Sequence, residues 1–366
     1  MERAAYRIVD ANFNRAREAL RVMEEYARFA LNCGSLSGRA KQLRHELSSA
    51  IATLDAGSLL ASRDTLGDVG VGQKVAGQLQ RGTLADGFTA AAKRLTEALR
   101  ALAETIQTES TKTAATFERL RYEAYTLEKD VVLFAEPAEK FARVRLYVLI
   151  TSNLPADVLS LASKCAAGGA DCIQLRAKDI PDDRLFALAV EFVDICREMG
   201  SLSIINDRVD IAAAAGADGV HLGQNDLPIE QVRRLQLTPL IVGKSTHSIT
   251  ELERAVPQRP DDSEAPEFIC STVTPPSYVS LGPAFATPTK PGIDIAGLDY
   301  VRQGLAFLAG TGVGHVAIGG ITRDNVDQVI RAGARCISVC SAVTDADDPA
   351  KACHRLKDRI TELLGE

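Results

Sequence analysis

Eight short runs of aliphatic and β-branched residues recur through the last three fifths of the chain, and this recurrence constrains the fold more than any other feature. They are RLYVLIT from Arg145, CIQLR from Cys172, LSIIN from Leu202, GVHLG from Gly219, PLIVGKS from Pro239, YVSLG from Tyr278, HVAIGG from His315 and CISVCSA from Cys336. Each has the length and composition of a buried strand, and the longer segments between them are amphipathic at the helical period. A parallel neighbour can be reached only through a crossover, so alternating strands and helices imply parallel βαβ units. Eight such units in about 220 residues suit a closed (β/α)8 TIM barrel, with an open doubly wound sheet as the alternative.

The preceding residues have a different texture. NFNRAREALRVMEEYARFAL and AAKRLTEALRALAETIQ space apolar residues by three and four, which predicts an all-α domain over 1–135, followed by the barrel over 136–366. The boundary is placed in FAEPAEKFARV, where Pro137 interrupts a charged run. The helical part repeats itself. Glu18-Ala-Leu-Arg21 returns as Glu97-Ala-Leu-Arg100, and Leu43-Arg44-His45-Glu46 as Leu120-Arg121-Tyr122-Glu123, at offsets of 79 and 77 residues. A duplicated helical hairpin follows. Its repeated Arg and Glu residues suit solvated pairs on helix surfaces, or else a polar site between the halves served by the loop from Ser62 to Gly72, which has no known phosphate-loop spacing.

The chain has a net charge of −6, which leaves no global basic field and argues against a nucleic-acid partner. The eight cysteines form no CxxC pair, and the N-terminal stretch has neither a signal core nor a span of membrane length. A reduced, cytoplasmic protein is expected. Cys336 and Cys340, four apart without neighbouring histidines, read as small core residues rather than a metal site.

In a (β/α)8 barrel the loops at the carboxyl ends of the strands build the site. The second strand ends in Gln174-Leu175-Arg176-Ala177-Lys178, where alternation sends Gln174, Arg176 and Lys178 to one side and offers two cations to an anion. The third ends in Asn206-Asp207 and the fourth runs into His221-Leu-Gly-Gln-Asn-Asp226. Carboxylates at adjacent mouths suit an oxygen-ligated Mg2+ bridging phosphates, although capping a helix is the commoner fate of such an Asp. The fifth strand carries Ser245. The sixth leads into Thr287-Pro288-Thr289-Lys290, which has two hydroxyls and an ammonium in a loop stiffened by Pro283, Pro288 and Pro291. Glycines 319 and 320 after strand seven and Cys340-Ser341 after strand eight match the phosphate site often formed there from backbone N–H groups. His221 and His247 invite an acid–base reading, but no partner for either is visible in the sequence.

Together QLRAK, IND, HLGQND, GKSTHS, GPAFATPTK, AIGGI and VCSAV resemble the thiamine-phosphate synthases, over roughly residues 144 to 364. The resemblance implies condensation of hydroxymethylpyrimidine diphosphate with hydroxyethylthiazole phosphate, releasing pyrophosphate. It implies Asp207 and Asp226 as Mg2+ ligands, with Arg176, Lys178 and Lys290 stabilising the departing pyrophosphate. Residues 174–178, Asn206 and Ser245 would take the pyrimidine substrate, and Thr287, Pro288, Thr289, Gly320, Cys340 and Ser341 the thiazole phosphate. The chain departs from the family in a long, Pro-rich stretch before strand six and in Cys340, where an aliphatic residue is usual. Residues 5 to 130 resemble the ThiD2 family through RIVDANFNRAREALRVMEEYARF and SRDTLGDVG, which implies a hydroxymethylpyrimidine phosphate kinase. The competing expectation is a thiazole tautomerase-like or other phosphate-binding barrel carrying a non-catalytic helical dimerisation domain, and a homo-oligomer is compatible with either.

Overall fold

The computed structural model describes residues 1–70, 81–235, 239–257, 274–287 and 294–366. These form two compact units, one ending at Val132 and the other beginning at Leu133. The first contains α1 (Arg3–Glu25), a π turn (Tyr26–Ala30), α2 (Gly34–Ile51), α3 (Ala56–Ala61), α4 (Leu84–Ile106) and the start of α5 (Thr111–Ala142). α1 and α4 are each 23 residues long, as a duplication requires. A capping box starts α4, with Thr83 accepting from the Asp86 N–H and the Asp86 carboxylate accepting from Thr83. The repeated leucines, Leu20 of α1 with Leu99 of α4 and Leu43 of α2 with Leu120 of α5, meet in one core together with Leu47 and Leu95.

The repeated charges divide: Arg44 reaches the buried Glu24 at 3.1 Å and Arg121 is largely buried beside Glu118, whereas the pairs that follow the Glu-Ala-Leu-Arg motif lie outside the core. Arg21 pairs with Glu25 at 2.9 Å, and Arg100 pairs with Glu104 at the equivalent place. All four side chains are about half exposed, which is the solvated-pair reading of the repeat. In the loop after α3, Arg63 grips Asp10 with two bonds of 2.7 Å. The carboxylates of Asp64 and Asp68 accept from the Gly67 and Gly70 N–H groups at 2.9 Å. Gly72, at the end of this loop, lies outside the described residues.

The second unit alternates β1 (Leu146–Ile150), α6 (Pro155–Ala167), β2 (Cys172–Leu175), α7 (Asp182–Met199), β3 (Leu202–Asn206), α8 (Val209–Ala214), β4 (Gly219–Leu222) and α9 (Ile229–Leu235). It continues with β5 (Ile241–Thr246), α10 (Ile249–Ala255), β6 (Tyr278–Leu281), α11 (Gly297–Leu308), β7 (Gly314–Ile318), α12 (Val326–Arg331), β8 (Ile337–Val339), α13 (Ser341–Thr344) and α14 (Pro349–Leu364). The strands pair in sequence order, and β8 closes on β1, so the sheet is a closed parallel barrel rather than the open alternative. All eight strand runs in the sequence form strands. Residues facing outward pack with the surrounding helices as the main core. At the amino ends of the strands, Tyr147, Cys172, Ile204, Ile241, Tyr278, Val316 and Cys336 form a separate inner layer, against which Phe141 of α5 packs.

Pro137 does not end a segment as the sequence suggested; α5 runs through it to Ala142. Proline lacks the N–H that would bond the Leu133 carbonyl one turn earlier. Arg233 of α9 supplies a donor instead, its Nη1 lying 3.1 Å from Leu133 O. The buried guanidinium also donates to the carbonyls of Leu240 and Pro275, at 3.3 and 3.2 Å. No helix among the described residues is long and apolar enough to cross a membrane.

Candidate active site

The carboxyl ends of the barrel strands open into a cavity of about 420 Å³. On one side it is lined by Gln174, Arg176, Lys178, Asn206, Asp207 and Asp226, and on the other by Thr287, Gly320, Cys340 and Ser341. Ser245 and His221 reach it from β5 and β4. The convergence follows from strand geometry. Successive side chains alternate between the lumen and the outer helices, so Gln174 points inward while Leu175 and Ala177 are buried among the outer apolar residues. Of the five residues in that motif, three present side chains to the cavity. Pro288, Thr289 and Lys290 lie outside the described residues.

Asp207 takes φ +63°, a left-handed conformation that non-glycine residues rarely adopt. Its N–H donates to the His221 carbonyl at 2.8 Å, which fixes the turn at the end of β3. Its carboxylate lies 3.2 Å from Lys178 Nζ and within hydrogen-bonding reach of Asp226. Burial, and after it the Asp226 carboxylate, push the Asp207 pKa up, while Lys178 acts in the opposite direction. Asp226 also accepts from the Gly223 N–H at 2.6 Å, so it does cap its own loop, but it does so from the cavity wall. Two facing carboxylates resist ionising together, and a hard divalent cation relieves that repulsion. The all-oxygen pair therefore fits Mg2+.

The other wall is built on close approach. A side chain on Gly320, which has φ +62°, would run into the Ala286 carbonyl and come within 2.9 Å of Phe285 Cβ. Glycine there lets the backbone after β7 lie against the loop after β6. Cys340 immediately precedes α13, and its Sγ lies 3.8 Å from the Thr151 hydroxyl. Lys244, between two inward residues, faces outward and pins the loop after β4 by donating to the Gly223 carbonyl at 2.6 Å. Burial lowers its pKa. Gln224 donates to the Ser245 carbonyl from the same loop.

The sequence did not show how the histidines are partnered. His247 Nδ1 lies 3.0 Å from Glu251 of α10. His221 Nε2 lies 2.9 Å from Ser245 Oγ, and its Nδ1 lies 2.9 Å from the Tyr278 hydroxyl. Tyr278 Oη lies 2.9 Å from Tyr147 Oη, which accepts from Gln174 Nε2 at 2.7 Å. Five residues on five strands thus form one continuous hydrogen-bonded chain beneath the cavity. Tyr147 and Tyr278 were missed because they read as strand apolars. The available signal was that a buried phenol must find a hydrogen-bond partner.

The family model described as thiamine monophosphate synthase matches residues 146–343, and the ThiD2 family model matches residues 7–130. The chain is 35% identical over 366 residues to the thiamine-phosphate synthase of Nostoc sp., covering 100% of this chain and 97% of the relative. It is 36% identical over 359 residues to the enzyme of the same name from Gloeobacter violaceus, covering 98% of each. Among solved structures, the thiamine phosphate pyrophosphorylase from Pyrococcus furiosus aligns with a TM-score of 0.52 at 31% identity, over 62% of this chain and 99% of that one. With a closed barrel, a polar cavity at its mouth and relatives aligned along its whole length, the chain belongs to the thiamine monophosphate synthase family, a family of transferases.

Proposed function

We propose that the barrel condenses hydroxymethylpyrimidine diphosphate with hydroxyethylthiazole phosphate to give thiamine phosphate and pyrophosphate. The observation that carries this reading is the two-sided cavity, which has cations and paired carboxylates on one wall and a close-packed glycine backbone with hydroxyl residues on the other. In this reading the bond between the pyrimidine methylene carbon and the diphosphate oxygen breaks, and its electron pair leaves with pyrophosphate. The aminopyrimidine stabilises the resulting cation, and the thiazole nitrogen forms the new carbon–nitrogen bond. No protein nucleophile is required. Arg176 and Lys178 meet the charge that grows on the leaving group, and the family resemblance gives Lys290 the same role. Asp207 and Asp226 would hold Mg2+, which neutralises diphosphate charge when bound. Gln174, Asn206 and Ser245 hold the pyrimidine, supported by the backbone of residues 175 and 177. Thr287, Pro288, Thr289, Gly320, Cys340 and Ser341 receive the thiazole phosphate, and holding both substrates in one cavity supplies the proximity that a two-substrate step needs.

A tautomerase-like activity needs an acid–base residue in place of the carboxylate pair and cations. Supplying the purified protein with both substrates and Mg2+ and following thiamine phosphate separates the two readings. For the helical domain, taken as 1–135 with the barrel as 136–366, the reading is phosphorylation of the pyrimidine phosphate, which would make the barrel's substrate. The ThiD2 match over residues 7–130 supports it. Nucleotide-dependent conversion of hydroxymethylpyrimidine phosphate to the diphosphate by the full chain is the test, and no conversion would remove the reading. The described cysteines are all free thiols, which supports a cytoplasmic setting.

A further inference from the structure

The five-residue chain beneath the cavity has a direction, and the direction follows from counting protons. Gln174 Nε2 can only donate, and it lies 2.7 Å from Tyr147 Oη. Tyr147 has one proton, and the hydroxyl 2.9 Å away on Tyr278 receives it. Tyr278, already accepting, turns its own proton to His221 Nδ1 at 2.9 Å. With its Nδ1 lone pair used, His221 carries its proton on Nε2 and donates it to Ser245 Oγ at 2.9 Å. Ser245 accepts from below, so its own proton points elsewhere, and Ser245 lines the cavity. At the opposite end Gln174 has spent one of its two amide protons on Tyr147, and its carbonyl oxygen, which takes no part in the chain, is the acceptor it offers to a ligand.

We propose that Tyr147, Tyr278 and His221 are positioning residues that fix the polarity of the pyrimidine pocket, setting Ser245 as a hydrogen-bond donor and Gln174 as an acceptor so that the site selects an aminopyrimidine over its oxo counterpart. This rests on the synthase reading above. An amino group donates and an unprotonated ring nitrogen accepts, which complements that polarity. A carbonyl in place of the amino group presents an acceptor to the Gln174 oxygen, leaving two buried acceptors opposed. If every bond in the chain were reversed, Gln174 would donate and Ser245 would accept, and the oxo ring would be preferred. One chain of protons therefore decides between two substrate classes.

Two features mark the chain as built into the fold. Gly243 of β5 stands between Tyr278 and His221, where a side chain would fall on the Tyr278 ring and lie 2.6 Å from His221 Nδ1. Phe141 stacks on the Tyr278 ring at 3.9 Å and 4°, holding it from beneath. Burial raises the pKa of both tyrosines well above the ordinary value, so both hydroxyls keep the single proton that the direction requires.

The test compares the aminopyrimidine diphosphate with the analogue in which a carbonyl replaces the amino group. Wild type should prefer the amino substrate by at least about a hundredfold in kcat/KM, and Tyr278→Phe, which keeps the ring and its stacking, should narrow that ratio about tenfold or more. The loss should fall on the KM for the pyrimidine substrate and leave the KM for the thiazole phosphate unchanged. Tyr147→Phe should act the same way, so the inference does not depend on one variant folding. Independently, nitrogen-15 spectra of wild-type protein, with the His221 signals assigned by their loss in His221→Asn, should show the Nε2–H tautomer. An Nδ1–H tautomer, or an active wild type whose Phe variants keep the wild-type amino-to-oxo ratio, overturns the inference while leaving the synthase reading intact. A wild type that makes no thiamine phosphate overturns that reading, and with it the assignment of the pocket to a pyrimidine.

Discussion

Gly243 and Asp207 show how much of the site depends on single backbone positions. Gly243 carries no side chain because the Tyr278 ring and the His221 imidazole fill the space where its Cβ would stand. Gly243→Ala should destabilise the barrel by about 1–3 kcal/mol, the usual cost of overpacking, and should lower synthase activity by displacing His221 from Ser245. Calorimetry and steady-state kinetics check both; an unchanged Tm would show that the strands move apart more easily than close packing allows. Asp207 is held in a left-handed turn that aims its carboxylate at Asp226 and Lys178. Asp207→Asn keeps the shape and removes the charge, so turnover should fall by a factor on the order of 10³ with little change in Tm, and added Mg2+ should recover part of it. Wild-type turnover in Asp207→Asn would remove Asp207 from the set of ligands.

At the scale of elements, the eight strands were legible because their apolar runs are short, β-branched and regularly spaced. Their cavity-lining ends were legible because alternation assigns Gln174, Arg176 and Lys178 to one face. The course of α5 was not. A proline in a charged run reads as a stop, and the donor that lets the helix continue, Arg233, comes from an element about a hundred residues later whose partners no local pattern reveals. Arg233→Met should leave three buried carbonyls short of a donor and cost about 2–4 kcal/mol, measurable by denaturant unfolding. His315 on β7 is a second long-range case, since its Nε2 accepts the Arg335 N–H at 2.9 Å. Burial first, then the Arg335 and Arg145 charges, lower its pKa to about 4. The unfolded chain takes up that proton near the ordinary value of about 6.5 and the native state does not, so stability is lost as pH falls from there toward 4. The loss is about 2 kcal/mol after allowing for partial exposure, and His315→Gln should flatten the pH dependence of Tm over that range. An unchanged slope in the variant would show that His315 titrates alike in both states.

At the scale of the molecule, the duplication and the barrel are separate achievements of the same chain. The repeat was legible because it repeats residue identities, and the structure places its leucines in a shared core and the Arg21–Glu25 and Arg100–Glu104 pairs on the surface. Arg21→Ala and Arg100→Ala should therefore each cost only a few tenths of a kcal/mol and leave synthase activity on ready-made diphosphate unchanged, since exposed ion pairs contribute little. A large stability loss in either would assign those arginines a structural role beyond solvated pairing. The central claim is that the cavity at the barrel mouth joins two substrates and releases pyrophosphate, and one assay tests it most directly. Thiamine phosphate and pyrophosphate are quantified together from the full-length protein, the two substrates and Mg2+, with and without a chelator. Equal amounts of the two products, abolished by chelation, are expected. No thiamine phosphate, pyrophosphate released without it, or turnover indifferent to the chelator would contradict the claim.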